Sequence, residues 1–197
     1  MARLAIADPP YPPRVAERRD RPGGPIRVTK RSRARRYYGD GTRPTDEVPA
    51  DFHPGAGEWD DPARHRLLLL QLMDEFDGWA LATTPDGLAV YHPLPIPARI
   101  MVWHKPTANP GAHRIASKWE AVIVLTPEDR RGHKGLGQVS DVLRCNQPAD
   151  GFAGAKPARW TRWVLDAMGY DQEQDEVVDL FPGSGSVAAA LAQGVLL

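Results

Sequence analysis

The chain has a single cysteine, Cys145, so no disulfide can form within it and an oxidising compartment gains no support. Long apolar runs are missing as well. The longest, Leu67 to Leu70 with Leu72 and Met73, is far too short to span a bilayer. The N-terminus lacks a basic segment followed by an apolar signal core. No internal repeat is visible, and formal net charge is zero, 25 Lys and Arg against 25 Asp and Glu. Together these absences speak against a secreted disulfide scaffold, a membrane protein or a repeat array, and lead to the expectation of a soluble intracellular chain with no membrane partner.

What is present fits one α/β domain. The 197 residues suffice for a substantial core, and 42% hydrophobic with 25% charged residues are ordinary globular values. The charge is unevenly placed. Arg14, Arg18, Arg19, Arg21, Arg27, Lys30, Arg31, Arg33, Arg35, Arg36 and Arg43 face only Glu17, Asp20 and Asp40 in the same stretch. A local field of that sign suits a phosphate backbone.

Strands and helices alternate along the sequence. Leu4 to Ala7 is a short apolar run that Asp8 and two prolines end, as expected of a buried parallel strand. From Pro12 to about Asp61 no periodicity is visible, which predicts a long functional loop or arm with a helical turn or hairpin around Arg31 to Tyr38. Asp61-Pro62 starts a helix to about Phe76. Trp79 to Thr83 is the next strand, and Leu88 to Leu94 a short helix. Arg99 to Trp103 and Glu120 to Leu125 are further strands, and Asp141 to Arg144 is a polar one at an edge. Lys156-Pro157 opens a helix ending at Gly169, Glu176 to Phe181 is the last strand, and Ser186 to about Gln193 the last helix. This alternation predicts a mostly parallel sheet covered on both faces.

Two strand-end motifs carry chemistry. Asp8-Pro9-Pro10-Tyr11 follows the first strand, and Asp179-Leu180-Phe181-Pro182-Gly183-Ser184-Gly185-Ser186 follows the last. Strand ends are where open α/β sheets place ligands. Glycines in the second motif allow a tight turn and close backbone approach, although an ordinary strand-to-helix turn has the same composition. No Lys-Ser/Thr follows Gly185, so this is not a phosphate-binding Walker loop. In the first motif a carboxylate and a rigidly aimed proline carbonyl can each accept one hydrogen of an exocyclic amine. That draws the nitrogen toward tetrahedral geometry and stabilises the charge that develops on it. The alternative is a proline-rich turn with a capping aspartate.

The pair of motifs, in this order, resembles the beta-type, permuted S-adenosylmethionine-dependent DNA amino-methyltransferases, and more loosely the eukaryotic messenger-RNA adenine methyltransferases. The resemblance spans Leu4 to Leu191 and rests on three short motifs, the third being Lys156-Pro157 ahead of the last strand. It implies a single circularly permuted, Rossmann-like methyltransferase domain over 1–197, with 12–60 a basic arm inserted after the catalytic motif. By resemblance, Asp8 and the carbonyl of Pro9, with Pro10, form the amine-accepting turn, and Tyr11 stacks on the target base. Asp179, Phe181, Gly183, Ser184 and Gly185, with Lys156 and Pro157, hold S-adenosylmethionine, and no metal is needed.

Asp at the first motif position implies adenine. Cytosine amino-methylation, an RNA substrate and a catalytically inactive nucleic-acid-binding relative stand as the alternatives. DNA is the expected partner, gripped by Arg31, Arg33, Arg35, Arg36, Tyr37 and Tyr38, and the base is expected to flip into the pocket. His104 and Lys105 are candidate contacts near that pocket, or structural residues. A cytoplasmic, nucleoid-associated or phage-encoded protein follows as the expectation. One departure stands out: the resemblance implies further strands that bind the cofactor's ribose and adenine, and the sequence has none after the last helix. The expectation is therefore a fold truncated there, with the cofactor held more weakly, anchored elsewhere or completed by a partner chain, a homodimer or partner chain left open as the assembly, and no residue of this chain nominated for the ribose.

Overall fold

Leu4-Ala5-Ile6-Ala7 is buried on both sides because it lies inside the sheet, with Leu4 and Ile6 in one apolar cluster and Ala5 and Ala7 in the other. The computed structural model describes residues 1–19, 21–33, 55–107, 115–132, 135, 137–148, 155–183 and 185–192. The strands are β1 (Arg3–Ala7), β2 (Arg14–Arg19), β3 (Ile26–Arg31), β4 (Gly78–Thr83), β5 (Arg99–His104), β6 (Trp119–Leu125), β7 (Val142–Arg144) and β8 (Glu176–Asp179). The helices are α1 (Pro62–Glu75), α2 (Ala158–Met168) and α3 (Ser186–Ala192).

Six strands form one sheet in the order β7-β5-β6-β4-β1-β8. β1 pairs in parallel with both β4 and β8, and β5 with β7, whereas β6 runs antiparallel to β4 and β5. The result is a mixed, mostly parallel sheet flanked by helices, a Rossmann-like arrangement in the generic sense. Leu4, Ile6, Val122 and Trp103 meet Trp160, Val164 and Met168 of α2 and Val187 of α3 on one face. Ala5, Ala7, Trp79 and Ile123 meet Leu68, Leu69 and Leu72 of α1, with Tyr91, on the other.

Local chemistry sets the helix ends. The Asp61 carboxylate accepts the Ala63 N–H at 2.9 Å, with Pro62 in the first turn of α1. α2 ends at Gly169, at φ 67°, where the Gly169 N–H reaches the Asp166 carbonyl and the Tyr170 N–H reaches the Leu165 carbonyl, both at 3.0 Å. That pair of bonds is a Schellman stop. No helix among the described residues is long and apolar enough to cross a membrane.

Three elements differ from expectation. The last strand ends at Asp179 rather than Phe181, and the short helix is a 3-10 segment, Pro85–Tyr91. The aperiodic stretch after Pro12 contains an antiparallel ribbon, β2 with β3, which forms its own two-stranded sheet. Its charge-rich strands lack the apolar alternation that marks a half-buried strand, so no period announces them. The hairpin expected at Arg31 to Tyr38 lies outside the described residues beyond Arg33.

Candidate active site

Because β1, β4, β5 and β8 point the same way, their C-terminal ends gather on one edge, and the start of antiparallel β6 joins them. Asp8 follows β1 where Pro9 and Pro10, both buried, withhold the N–H groups a continuing strand needs. Glu120 enters from β6, where it pairs in register with Trp103. Lys156 enters from the segment just before α2.

These residues form one network. Lys156 Nζ donates to Asp8 Oδ2 at 2.6 Å and to the Tyr11 hydroxyl at 2.9 Å. That hydroxyl in turn donates to Glu120 Oε2 at 2.7 Å. Glu120 Oε1 accepts from Lys105, and Lys156 Nζ lies 3.6 Å from Glu120. The rings of Tyr11, Trp103 and Trp160 surround the Lys156 ammonium at 5.4, 5.6 and 5.7 Å. An ammonium over aromatic faces and between carboxylates remains charged even though little water reaches it.

The electrostatics follow from that enclosure. Burial raises the Asp8 carboxyl above its ordinary value, and the charge of Lys156 only partly offsets this. Burial alone would lower Lys156, but Asp8 and Glu120 outweigh it and hold the ammonium above its usual value. Glu120 is likewise opposed by burial, yet Lys156 and Lys105 keep it below the usual carboxylate range. The Tyr11 phenol is pushed far up by burial and then by the charges of Asp8 and Glu120, so it serves as a neutral hydroxyl.

The second motif emerges beside the first. Ile6 is in register with Asp179, and the Leu180 N–H reaches the Ile6 carbonyl at 3.0 Å. The Asp179 carboxylate accepts the Phe181 N–H at 3.1 Å, and its pKa is raised by burial and by the charge of Asp8. Gly183 and Gly185 take φ values of 37° and 72°, and a Cβ on Gly185 would meet nothing within 4 Å. The turn therefore presents open backbone just beyond the half-buried Asp179 carboxylate. Ser184 lies outside the described residues.

The remaining expected residues are placed as follows. Lys156, assigned by resemblance to the cofactor, sits on Asp8, and Pro157 caps α2. Arg33, expected on phosphate, donates to both oxygens of Asp86 at 2.9 and 2.7 Å, to Thr84 Oγ1 at 2.8 Å and to the Pro12 carbonyl at 3.0 Å. The side chain of Arg31, and all of Arg35, Arg36, Tyr37 and Tyr38, fall outside the described part. Lys105 reaches the network, whereas the His104 carbonyl accepts the Cys145 N–H at 3.1 Å.

Sequence reasoning passed over the full role of Glu120. The available signal was a glutamate inside the apolar run of β6, since a buried carboxylate needs partners. It also missed His65, fully buried, with Nδ1 2.7 Å from the Tyr91 hydroxyl and Nε2 2.9 Å from the Trp59 carbonyl. The Trp59 ring meets both His65 and Phe181 edge-on, at 5.2 and 5.1 Å, which backs the second motif from behind. Comparison of the chain with family models, with curated proteins and with solved structures gives no match.

Proposed function

We propose that this chain is an S-adenosylmethionine-dependent methyltransferase acting on the exocyclic amine of adenine in DNA. The observation that carries the reading is the register of β1 with β8, in which Ile6 pairs with Asp179, so that both motifs leave the sheet from the same edge. Single motifs of this kind are common, but two that converge from opposite ends of the chain make a site.

The residues present fit the cofactor on two counts: the open backbone at Gly185, and the half-buried Asp179 carboxylate just ahead of that turn. Gly183, Gly185, Asp179 and Phe181 are the residues that would hold it. S-adenosylmethionine, when bound, supplies an electrophilic methyl group.

Everything else falls to the chain itself. Asp8 accepts one hydrogen of the target amine and the Pro9 carbonyl the other, withdrawing the nitrogen lone pair from the base ring. Lys156 opposes the burial that raises the Asp8 carboxyl and donates to its Oδ2. Tyr11 offers its ring to the base, and its hydroxyl, held between Lys156 and Glu120, fixes that ring in place. Positioning and fixed charge account for the catalysis, and no covalent enzyme intermediate is required.

The test is mass analysis of nucleosides in DNA from cells expressing the chain, beside the Asp8→Ala variant. N6-methyladenine with the native chain and none with the variant, while calorimetry shows both binding S-adenosylmethionine, supports the reading. Methylated cytosine, methylated RNA alone, or full activity in Asp8→Ala overturns it.

A further inference from the structure

The β2–β3 ribbon belongs to neither layer of the domain. It pairs only within itself among the described strands, yet its base is built into the site. On the incoming side Pro12 is buried against the 84–87 turn, with its Cδ 3.2 Å from where a Cβ on Gly87 would sit. On the outgoing side Arg33 clamps the chain to Thr84, Asp86 and the Pro12 carbonyl. Both legs of the ribbon are thus fixed to the sheet edge that carries Asp8. Burial opposes the Asp86 carboxylate, but the Arg33 fork prevails and holds its pKa below the ordinary value. At the far end Pro22-Gly23 makes a tight turn, with Gly23 at φ 73° and the Gly24 N–H on the Arg21 carbonyl at 3.0 Å. Proline then glycine at the two central positions is what a type II turn calls for.

The register then sorts the charge. Arg14 stands opposite Arg31, and Arg18 opposite Arg27. Directly opposed residues share a face, so these four positions lie on one side of the ribbon with Ala16 and Thr29, while Arg19 and Lys30 belong to the other side together with Glu17. An arrangement that concentrates positive charge on one face suits a polyanion. Six-residue strands make a ribbon about 20 Å long. A two-stranded ribbon fits the major groove of B-form DNA, about 12 Å wide, whereas the narrow major groove of duplex RNA shuts side chains out.

We infer that the β2–β3 ribbon grips double-stranded DNA through the face bearing Arg14, Arg18, Arg27 and Arg31, holding the duplex beside the Asp8 pocket. The inference rests on the nucleic-acid reading of that pocket and names the surface and the form of its substrate. A base leaves the stack only if the backbone around it is held, and a ribbon anchored at the pocket's own edge holds it there.

Fluorescence anisotropy of a labelled DNA duplex, the matching single strand and an RNA duplex of the same sequence tests this across a salt series. Native protein is expected to prefer the DNA duplex. Replacing the four arginines with glutamine should weaken duplex binding at least tenfold at roughly 100 mM salt and lower the log–log salt slope by about 3 to 4. Replacing them with lysine should preserve both, which separates lost charge from a lost fold. Unchanged duplex affinity in the glutamine variant, loss of affinity in the lysine variant, or preference for the RNA duplex overturns the inference. Tight, ribbon-dependent DNA binding by a chain that transfers no methyl group would sink the proposed activity and leave the ribbon's role standing. Methyl transfer with ribbon-independent binding would do the reverse.

Discussion

Lys156 Nζ lies 2.6 Å from Asp8 Oδ2 across a sequence separation of 148 residues, and only 5% of the Lys156 side chain is exposed. The segment ahead of α2 and the end of β1 therefore meet in one ion pair. Replacing Lys156 with methionine leaves Asp8 and Glu120 without their shared cation. Burial then dominates Asp8, whose pKa climbs further. The acid limb of the transfer rate should move to higher pH, and stability should fall by on the order of 3 kcal/mol. A pH–rate profile with thermal unfolding checks both, and an unmoved acid limb counts against a positioning role for Lys156.

A second carboxylate does structural work at the opposite edge of the sheet. Asp175 accepts from the Ala2 N–H at 2.8 Å, from the Asp171 N–H at 2.8 Å and from both Arg130 terminal nitrogens at 2.5 and 2.8 Å. Although burial opposes it, Arg130 brings the carboxyl from 3.8 down to about 2. A depressed acid contributes stability above its unfolded pKa and loses it as pH falls toward the folded one. Asp175→Asn should lower stability by about 2 kcal/mol at neutral pH and flatten the decline between roughly pH 4 and pH 2, with cofactor binding unchanged. Denaturant unfolding across that window measures it.

His65 predicts a second loss of stability on acidification, in a window nearer neutrality. Burial lowers its pKa below 6.5 despite its bond to the Trp59 carbonyl. That carbonyl requires a proton on Nε2, so in the neutral ring Nδ1 accepts from the Tyr91 hydroxyl. A histidine kept neutral by the fold contributes stability above pH 6.5 and loses it as pH falls below, because the unfolded chain takes up the proton first. Melting temperature should drop through this window in the native chain, and His65→Gln should remove that slope.

Gly87→Ala probes the base of the ribbon. A Cβ there meets Thr83 Oγ1, Thr84 Oγ1 at 3.0 Å and Pro12 Cδ at 3.2 Å. The turn and Pro12 must part, at a cost of about 1–3 kcal/mol. Thermal unfolding reads the loss. Weakened DNA-duplex binding in the same variant, with S-adenosylmethionine binding intact, would show that the shift propagates into the ribbon.

The amino-acid sequence by itself determined the strands and helices that are buried, because burial writes a pattern. Leu4 to Ala7 ended by two prolines, the leucines of α1 behind an Asp61-Pro62 cap, and α2 closed by Gly169 each carry a local signal of what forms and where it stops. It also determined that Asp8 and the glycine turn would each stand at a strand end. Tertiary structure alone decided the rest. An apolar strand buried on both faces has no polarity in its composition, so nothing in Trp119 to Leu125 announces that β6 runs antiparallel. The Asp8–Lys156–Tyr11–Glu120 network is made by side chains from separate elements, and no local propensity encodes a contact across such distances. The charged ribbon escaped notice for a related reason: its pairing comes from a turn and a clamp rather than from apolar alternation, and only the register reveals which arginines face one another.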